Sequence, residues 1–193
     1  MLQSESIDLL ITDVRMPVMD GVTLVRRMVE IGMSLPSIVF VSGFGDVDRK
    51  EMYALGVEAF LSKPFDREEL LGVIERALAE RSSLWLTPMP VAPRQSMLVQ
   101  AQDIGEGSSE ESVHLGRGGF SAHYAGSLSL SKVAFQCSFP AKQRQLTGQG
   151  YVRWSSRADQ TIGIEFTFLD EPCRSWLLEE IAAANPRSFI PSI

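Results

Sequence analysis

Three prolines, Pro88, Pro90 and Pro93, fall within the ten residues 84–93. Proline has no amide hydrogen to give and its ring blocks helix continuation, so this stretch reads as a linker between two parts. The parts have different grammars. Ahead of Trp85, short apolar runs alternate with helical patterns. Residues 7–12 (IDLLIT) and 37–42 (SIVFVS) read as buried parallel strands, and residues 58–62 as a shorter third. Val22, Val25, Met28 and Val29 repeat at helical spacing, and a second helix over 47–55 stops at Gly56, a C-terminal cap. Asp66 caps a third helix over 67–80, with Glu69 completing the capping box and Leu70, Leu71, Ile74, Ala77 and Leu78 on one stripe. Strands alternating with helices predict a parallel α/β sheet.

The remainder reads as β. Residues 97–101, 120–124, 133–139, 149–154 and 162–169 are strand candidates, separated by Gly/Ser/Asp clusters, and the polar stretch 103–112 reads as a loop. Pro172 suits the first turn of a final helix carrying Cys173, Trp176, Leu177 and Ile181 on one face. Short antiparallel strands and one terminal helix predict a small barrel closed by that helix. The expected division is residues 1–84, a linker over 85–94, and residues 95–193.

Composition narrows the function classes. With 45% hydrophobic and 22% charged residues, the chain has globular rather than disordered composition. A net charge of −6 disfavours nucleic-acid binding through a basic surface. Residues 1–85 hold 14 acidic and 9 basic side chains, whereas residues 86–193 hold 10 and 9, so the second part is the less repulsive to an anion. Cys137 and Cys173 are too few for a disulfide framework or a thiolate zinc site, and His114 and His123 do little to complete one. No apolar run is long enough to span a bilayer, and a reduced cytoplasmic protein is expected. No Ser/His/Asp or Cys/His set and no pair of carboxylates suggests turnover, so the chain is not expected to be an enzyme.

Ligands of open parallel sheets bind at the carboxyl ends of the strands. Asp13 follows the first strand, Ser42 ends the second and Lys63 follows the third. A carboxylate, a hydroxyl and an ammonium on one edge suit phosphoryl transfer to the carboxylate. The ammonium neutralises the added phosphate and the hydroxyl donates to a phosphate oxygen.

Asp8, Asp13, Met16-Pro17, Asp20-Gly21, Ser42, Gly56 and Lys63-Pro64-Phe65 together resemble the receiver domain of two-component response regulators, a flavodoxin-like α/β fold. The resemblance implies that Asp13 is the phosphoacceptor, Ser42 the switch hydroxyl, Lys63 the phosphate-binding lysine and Phe60 the rotating aromatic. It implies that Asp13 and the backbone carbonyl of Arg15 face Mg²⁺, that Lys63-Pro64 is a cis bond, and that a histidine kinase is a partner.

Only six residues precede Ile7, too few for the strand–helix–strand that opens a receiver. The expected domain therefore lacks its first strands and their acidic pair. Mg²⁺ wants near-octahedral oxygen coordination, so Asp13 alone makes an incomplete site, and little Mg²⁺-dependent phosphorylation of this chain is expected. The 7–12 strand becomes an edge, and the exposed apolar face of the 67–80 helix invites a homodimer or higher oligomer.

In the second part, residues 113–120 (VHLGRGGF), 150–154 (GYVRW) and 163–166 (GIEF) resemble the PilZ domain, a six-stranded barrel with a terminal helix that often binds cyclic di-GMP. The family's ligand motifs are an Arg-x-x-x-Arg stretch and an Asp/Asn-x-Ser-x-x-Gly turn. Here Arg94 stands with Leu98 four residues on, and of the turn only Gly119 matches; His114 replaces the acid or amide and Gly116 the serine. Arg117 could still meet a phosphate. Gly116, Gly118 and Gly119 read first as a turn. The expectation is a bacterial signalling protein whose degenerate PilZ-like output acts through protein partners. The alternatives are a cyclic di-GMP effector using Arg94, His114, Arg117 and Gly119, and a ligand-blind adaptor of a motility or surface apparatus.

Overall fold

The computed structural model describes residues 7–43, 47–101, 103–104 and 112–193. The chain divides into two compact units, Met1–Ala79 and Glu80–Ile193. Described helices include none long and apolar enough to cross a membrane.

The first unit runs β1 (Leu9–Asp13), α1 (Gly21–Glu30), β2 (Ser37–Ser42), α2 (Arg49–Leu55), β3 (Val57–Ser62) and α3 (Arg67–Leu78). The strands form a parallel sheet in the order β1-β2-β3. Alternation along β2 splits the core. Ile38 and Phe40 pack with Val25, Met52 and Val57 on the face covered by α1 and α2, whereas Val39 and Val41 pack with Leu61 and Val73 beneath α3. β2 is thus buried on both faces, which explains its unbroken apolar run.

Each helix starts where a short acid can cap it. Asp20 accepts from the Thr23 N–H, Asp48 from those of Lys50 and Glu51, and Asp66 from that of Glu69. Gly56 ends α2 at φ 103°, a left-handed conformation that costs glycine nothing. The second helix begins at Arg49 rather than Val47, because Asp48 is its cap. Lys63-Pro64 is cis, and so is Glu171-Pro172.

The second unit contains β4 (Gln95–Gln100), β5 (Asp103–Ile104), β6 (Ser112–Leu115), β7 (Gly119–His123), β8 (Lys132–Phe139), β9 (Arg144–Ser156), β10 (Thr161–Leu169) and α4 (Cys173–Ala184). One curled sheet joins the strands in the order β4-β8-β9-β10-β7-β6-β5. A single core lies inside it. Phe120, Phe135 and Phe166 meet there with ring centroids 5.1–5.8 Å apart, and Trp176, Leu177 and Ile181 of α4 join the same cluster.

Two expectations need correcting here. The described sheet has six longer strands and the two-residue β5 besides. It is not wholly antiparallel, since β4 pairs with β8, and β5 with β6, in parallel. Asp103, Ile104 and Ser112, read as loop, lie in strands, and residues 105–111 of that stretch fall outside the described residues. The two compact units meet in sequence at Ala79/Glu80. The proline stretch is not free. Trp85 is buried against Phe166, and its carbonyl accepts from the Leu169 N–H. The Gln149 side chain accepts from the Met89 N–H. Proline prevents helix and central strand, but it does not prevent an irregular segment from packing.

Arg174 explains how the segment before Trp85 is held. Its side chain is nearly buried and donates to the carbonyls of Ser82 and Leu84 and to the Glu171 carboxylate. A buried guanidinium satisfied by carbonyls fixes irregular backbone without a strand.

Candidate functional site

Parallel pairing lines up the carboxyl ends of the three strands. Asp13 sits opposite Val41, and Ser42 opposite Ser62. Past the last pairs the chains stay joined: the Val14 N–H donates to the Val41 carbonyl at 2.9 Å and the Lys63 N–H to the Ser42 carbonyl at 2.8 Å. Lys63 therefore reaches across β2 to Asp13. Its Nζ lies 2.8 Å from Oδ1 and 2.9 Å from Oδ2 of that carboxylate. Both side chains remain accessible, 49% and 40% exposed, as a site that meets a solution ligand requires.

The loop after Asp13 is shaped by glycine. The Gly21 N–H donates to the Val14 carbonyl at 2.9 Å. A Cβ on Gly21 would overlap the carbonyl oxygen of Asp13. The Asp20-Gly21 pair is thus two devices in sequence, a cap and a close approach that set the start of α1 beside the end of β1. The Thr23 N–H holds the Asp20 carboxyl below the ordinary carboxylate range, with Arg26 adding a smaller effect. Val18, in the same loop, is fully exposed at φ 72°, a conformation a β-branched residue adopts only under constraint.

Phe60 is half-buried on β3. Its ring meets Phe40 and Tyr53 edge-on, with centroids 6.1 and 5.3 Å apart, and the Arg49 guanidinium stands 5.7 Å from its centroid. Arg15 is exposed two residues beyond Asp13. It borders a groove of about 520 Å³ that also touches Asp20, Asp48 and Glu51. Asp48 caps α2 and Glu51 pairs with Arg26, so those acids already have structural duties.

The described residues do not make a self-contained divalent-cation site. Asp13 is the one carboxylate on the strand edge that the sequence assigned to metal, and it is already paired with Lys63. Among the described residues no group of three His, Cys, Asp or Glu side chains comes together. A hard cation taking six oxygens needs more than one carboxylate and one carbonyl from the protein or its waters. What the arrangement does provide is a nucleophilic oxygen with an ammonium at hydrogen-bond distance.

The residues singled out in the second unit are arranged differently. Arg94 is exposed immediately before β4, at one end of the strand order. His114 is not in a turn but in β6, opposite Ser121 of β7. Arg117 lies between β6 and β7, and Gly119 opens β7. The turn closes on itself through the Gly116 N–H and the Gly119 carbonyl, at 2.8 Å. Its outward amides are taken: the Arg117 N–H donates to the Ser188 carbonyl at 2.8 Å, and the Gly118 N–H to the Phe189 carbonyl at 3.0 Å. Sequence reasoning missed this segment. A Cβ at Gly116 or Gly118 would collide with Phe189, but nothing in either glycine names the segment that fills the space.

Comparison with known proteins bears on the first unit. The family model "Response regulator receiver domain" matches residues 1–75. The response regulator protein TodT of Pseudomonas putida is 46% identical over 70 residues, which is 36% of this chain and 30% of TodT. TmoT of Ectopseudomonas mendocina, also a response regulator protein, is 44% identical over 70 residues, covering 36% of this chain and 31% of that protein. The DNA-binding transcriptional regulator NtrC of Proteus hauseri is 40% identical over 78 residues, 40% of this chain and 16% of NtrC. The chain thus spans about a third or less of the length of these curated relatives. No solved structure gives a significant match. Residues 1–75 thus match the response regulator receiver domain, and Asp13, Lys63 and the Asp20-Gly21 device lie on one edge of the parallel sheet in that region.

Proposed function

We propose that this protein is a bacterial two-component signalling protein in which the receiver domain is coupled to a PilZ-like output unit that works by protein interaction and not by turnover. The observation that carries the receiver half is the Lys63–Asp13 pair, at 2.8 Å, on an accessible sheet edge. In a modified protein an Asp13 oxygen attacks the phosphorus of a donor, the leaving group departs with its electron pair, and Lys63 neutralises the new phosphate. Ser42 supplies a hydroxyl from the adjoining strand, and Phe60 responds from beneath. A histidine kinase is the natural donor for such a site.

With one strand-edge carboxylate on the described residues, Mg²⁺-dependent modification of this chain by itself is slow. Acetyl phosphate with and without Mg²⁺, read by intact mass, tests this, with Asp13→Asn as the blank. Fast, metal-dependent modification of Asp13 would overturn it.

The output half rests on the motif residues around Gly119, Trp154 and Gly163 and on a curled sheet closed by α4. The protein-binding reading is favoured over a cyclic di-GMP effector because the Arg117 and Gly118 amides already hold the chain's own backbone. Calorimetric titration with cyclic di-GMP separates the two: micromolar binding lost on Arg94→Ala or Arg117→Ala would select the effector. We further propose self-association through β1, which pairs with β2 on one side and leaves Ile11 39% exposed, and through Leu71 and Leu78 of α3, 42% and 50% exposed. Sedimentation at micromolar concentration would refute it by giving a monomer.

A further inference from the structure

The Gly116–Gly119 turn has a built surface that the signalling chemistry does not use. Two successive N–H groups, of Arg117 and Gly118, point outward and receive the carbonyls of Ser188 and Phe189, at 2.8 and 3.0 Å. The absence of side chains at Gly116 and Gly118 makes room for Phe189, which a Cβ at either glycine would strike. Ile190 beside it is fully buried. The outer rim is fixed from behind, because the Arg117 carbonyl accepts from Arg81 and the Gly118 carbonyl from the Phe166 N–H at 2.9 Å. The notch therefore matches a bent backbone that turns two successive carbonyls the same way, with an aromatic ring beside Gly118.

The occupant is irregular backbone, unlike the strands that flank the notch. Residues 186–193 form neither helix nor strand and are bracketed by Pro186 and Pro191. Segments with few backbone bonds open locally at lower cost than the sheet they rest on. An occupant in cis reduces the apparent affinity of a competitor by the fraction of time the notch is open.

We propose that the Gly116–Gly119 turn is a peptide-docking notch, held closed by the chain's own Ser188–Phe189–Ile190 strap, that accepts a bent, aromatic-bearing segment of a partner protein when the strap lets go. This deepens the protein-interaction reading of the output unit and rests on it. It names the partner's chemistry and makes the strap the gate.

The test uses the full chain and a labelled octapeptide of residues 186–193 as probe. The unaltered protein binds the probe weakly. Phe189→Ala loosens the strap and raises probe affinity at least tenfold; adding Gly118→Val to that variant fills the notch and abolishes binding. Amide exchange at Arg117 and Gly118 accelerates at least tenfold in Phe189→Ala while β8–β10 stay protected, a readout that needs no probe. Equal probe binding by the unaltered and Phe189→Ala chains, or unchanged exchange at those two amides, would overturn the proposal. Neither measurement involves a phosphodonor or a cyclic dinucleotide, so failure of the notch and failure of the signalling reading are separable.

Discussion

Gly21 touches the carbonyl oxygen of Asp13 so closely that no side chain fits between them. The helix that follows the Asp13 loop is thereby set by contact with Asp13 itself.

Gly21→Ala should push α1 away from the acceptor strand. Backbone cannot yield as a flexible side chain does, so the cost is about 1–3 kcal/mol, the range for overpacking. Urea unfolding of the full chain measures it. A loss under a few tenths of a kcal/mol would mean that the loop relaxes freely.

Lys63→Ala separates stability from chemistry. The Lys63–Asp13 pair is substantially solvent-exposed, and such pairs contribute roughly 0–1 kcal/mol. Unfolding midpoints should barely move, while the slow labelling of Asp13 by acetyl phosphate falls further. A large stability loss would show that the pair is structural.

Gly163 lies opposite Trp154 on the neighbouring strand, and the indole covers the space where its Cβ would be. Gly163→Val must expel that ring, and Trp154→Ala must leave a void. Each should cost about 3–5 kcal/mol, as for removal of a large buried aromatic. The near-ultraviolet circular dichroism of the tryptophans would change in both.

Arg174→Met keeps the stem of the side chain and removes the donors to Ser82 and Leu84. Hydrogen bonds involving a charged group contribute roughly 1.5–3 kcal/mol each. Hydrogen exchange should accelerate first between Glu80 and Trp85, with β8–β10 still protected. Uniform acceleration throughout the second unit would indicate that Arg174 supports the core and not the segment.

Both thiols should be inert until the second unit unfolds. Burial pushes the Cys137 thiol far above the ordinary thiol range, and burial is also the main cause of the upward shift at Cys173. A raised folded-state value stabilises below the unfolded thiol's pKa and ceases to do so as pH rises through the folded one, so stability declines in the alkaline direction, beginning near the ordinary thiol value of 9.0. Ellman's reagent added to native protein at pH 8 should label neither cysteine; prompt labelling would contradict their burial.

Much of the first unit was legible because its signals are local. Asp66 with Glu69, Gly56 after Leu55, and the apolar run at 37–42 each state an element and an end within a few residues. Parallel order then places Asp13, Ser42 and Lys63 on one edge without further information. The second unit was less legible. Its parallel β4–β8 pairing joins residues far apart in sequence, and nothing local distinguishes it from an antiparallel neighbour. His114 read as turn because the glycines after it dominate the pattern, yet the strand extends through it.

The amino-acid order by itself determined where chain direction changes, which residues alternate inward, and which polar groups end the three parallel strands, since these follow from backbone geometry and side-chain period. Only the tertiary structure decided what meets what: Lys63 on Asp13, Trp85 inside the second core, Arg174 on the Ser82 and Leu84 carbonyls, Phe189 in the space left by Gly116 and Gly118. The physical reason is that an empty space beside a glycine, or an amide facing outward from a turn, has no signature in the residue itself. It acquires a meaning only when a distant segment folds back to fill it.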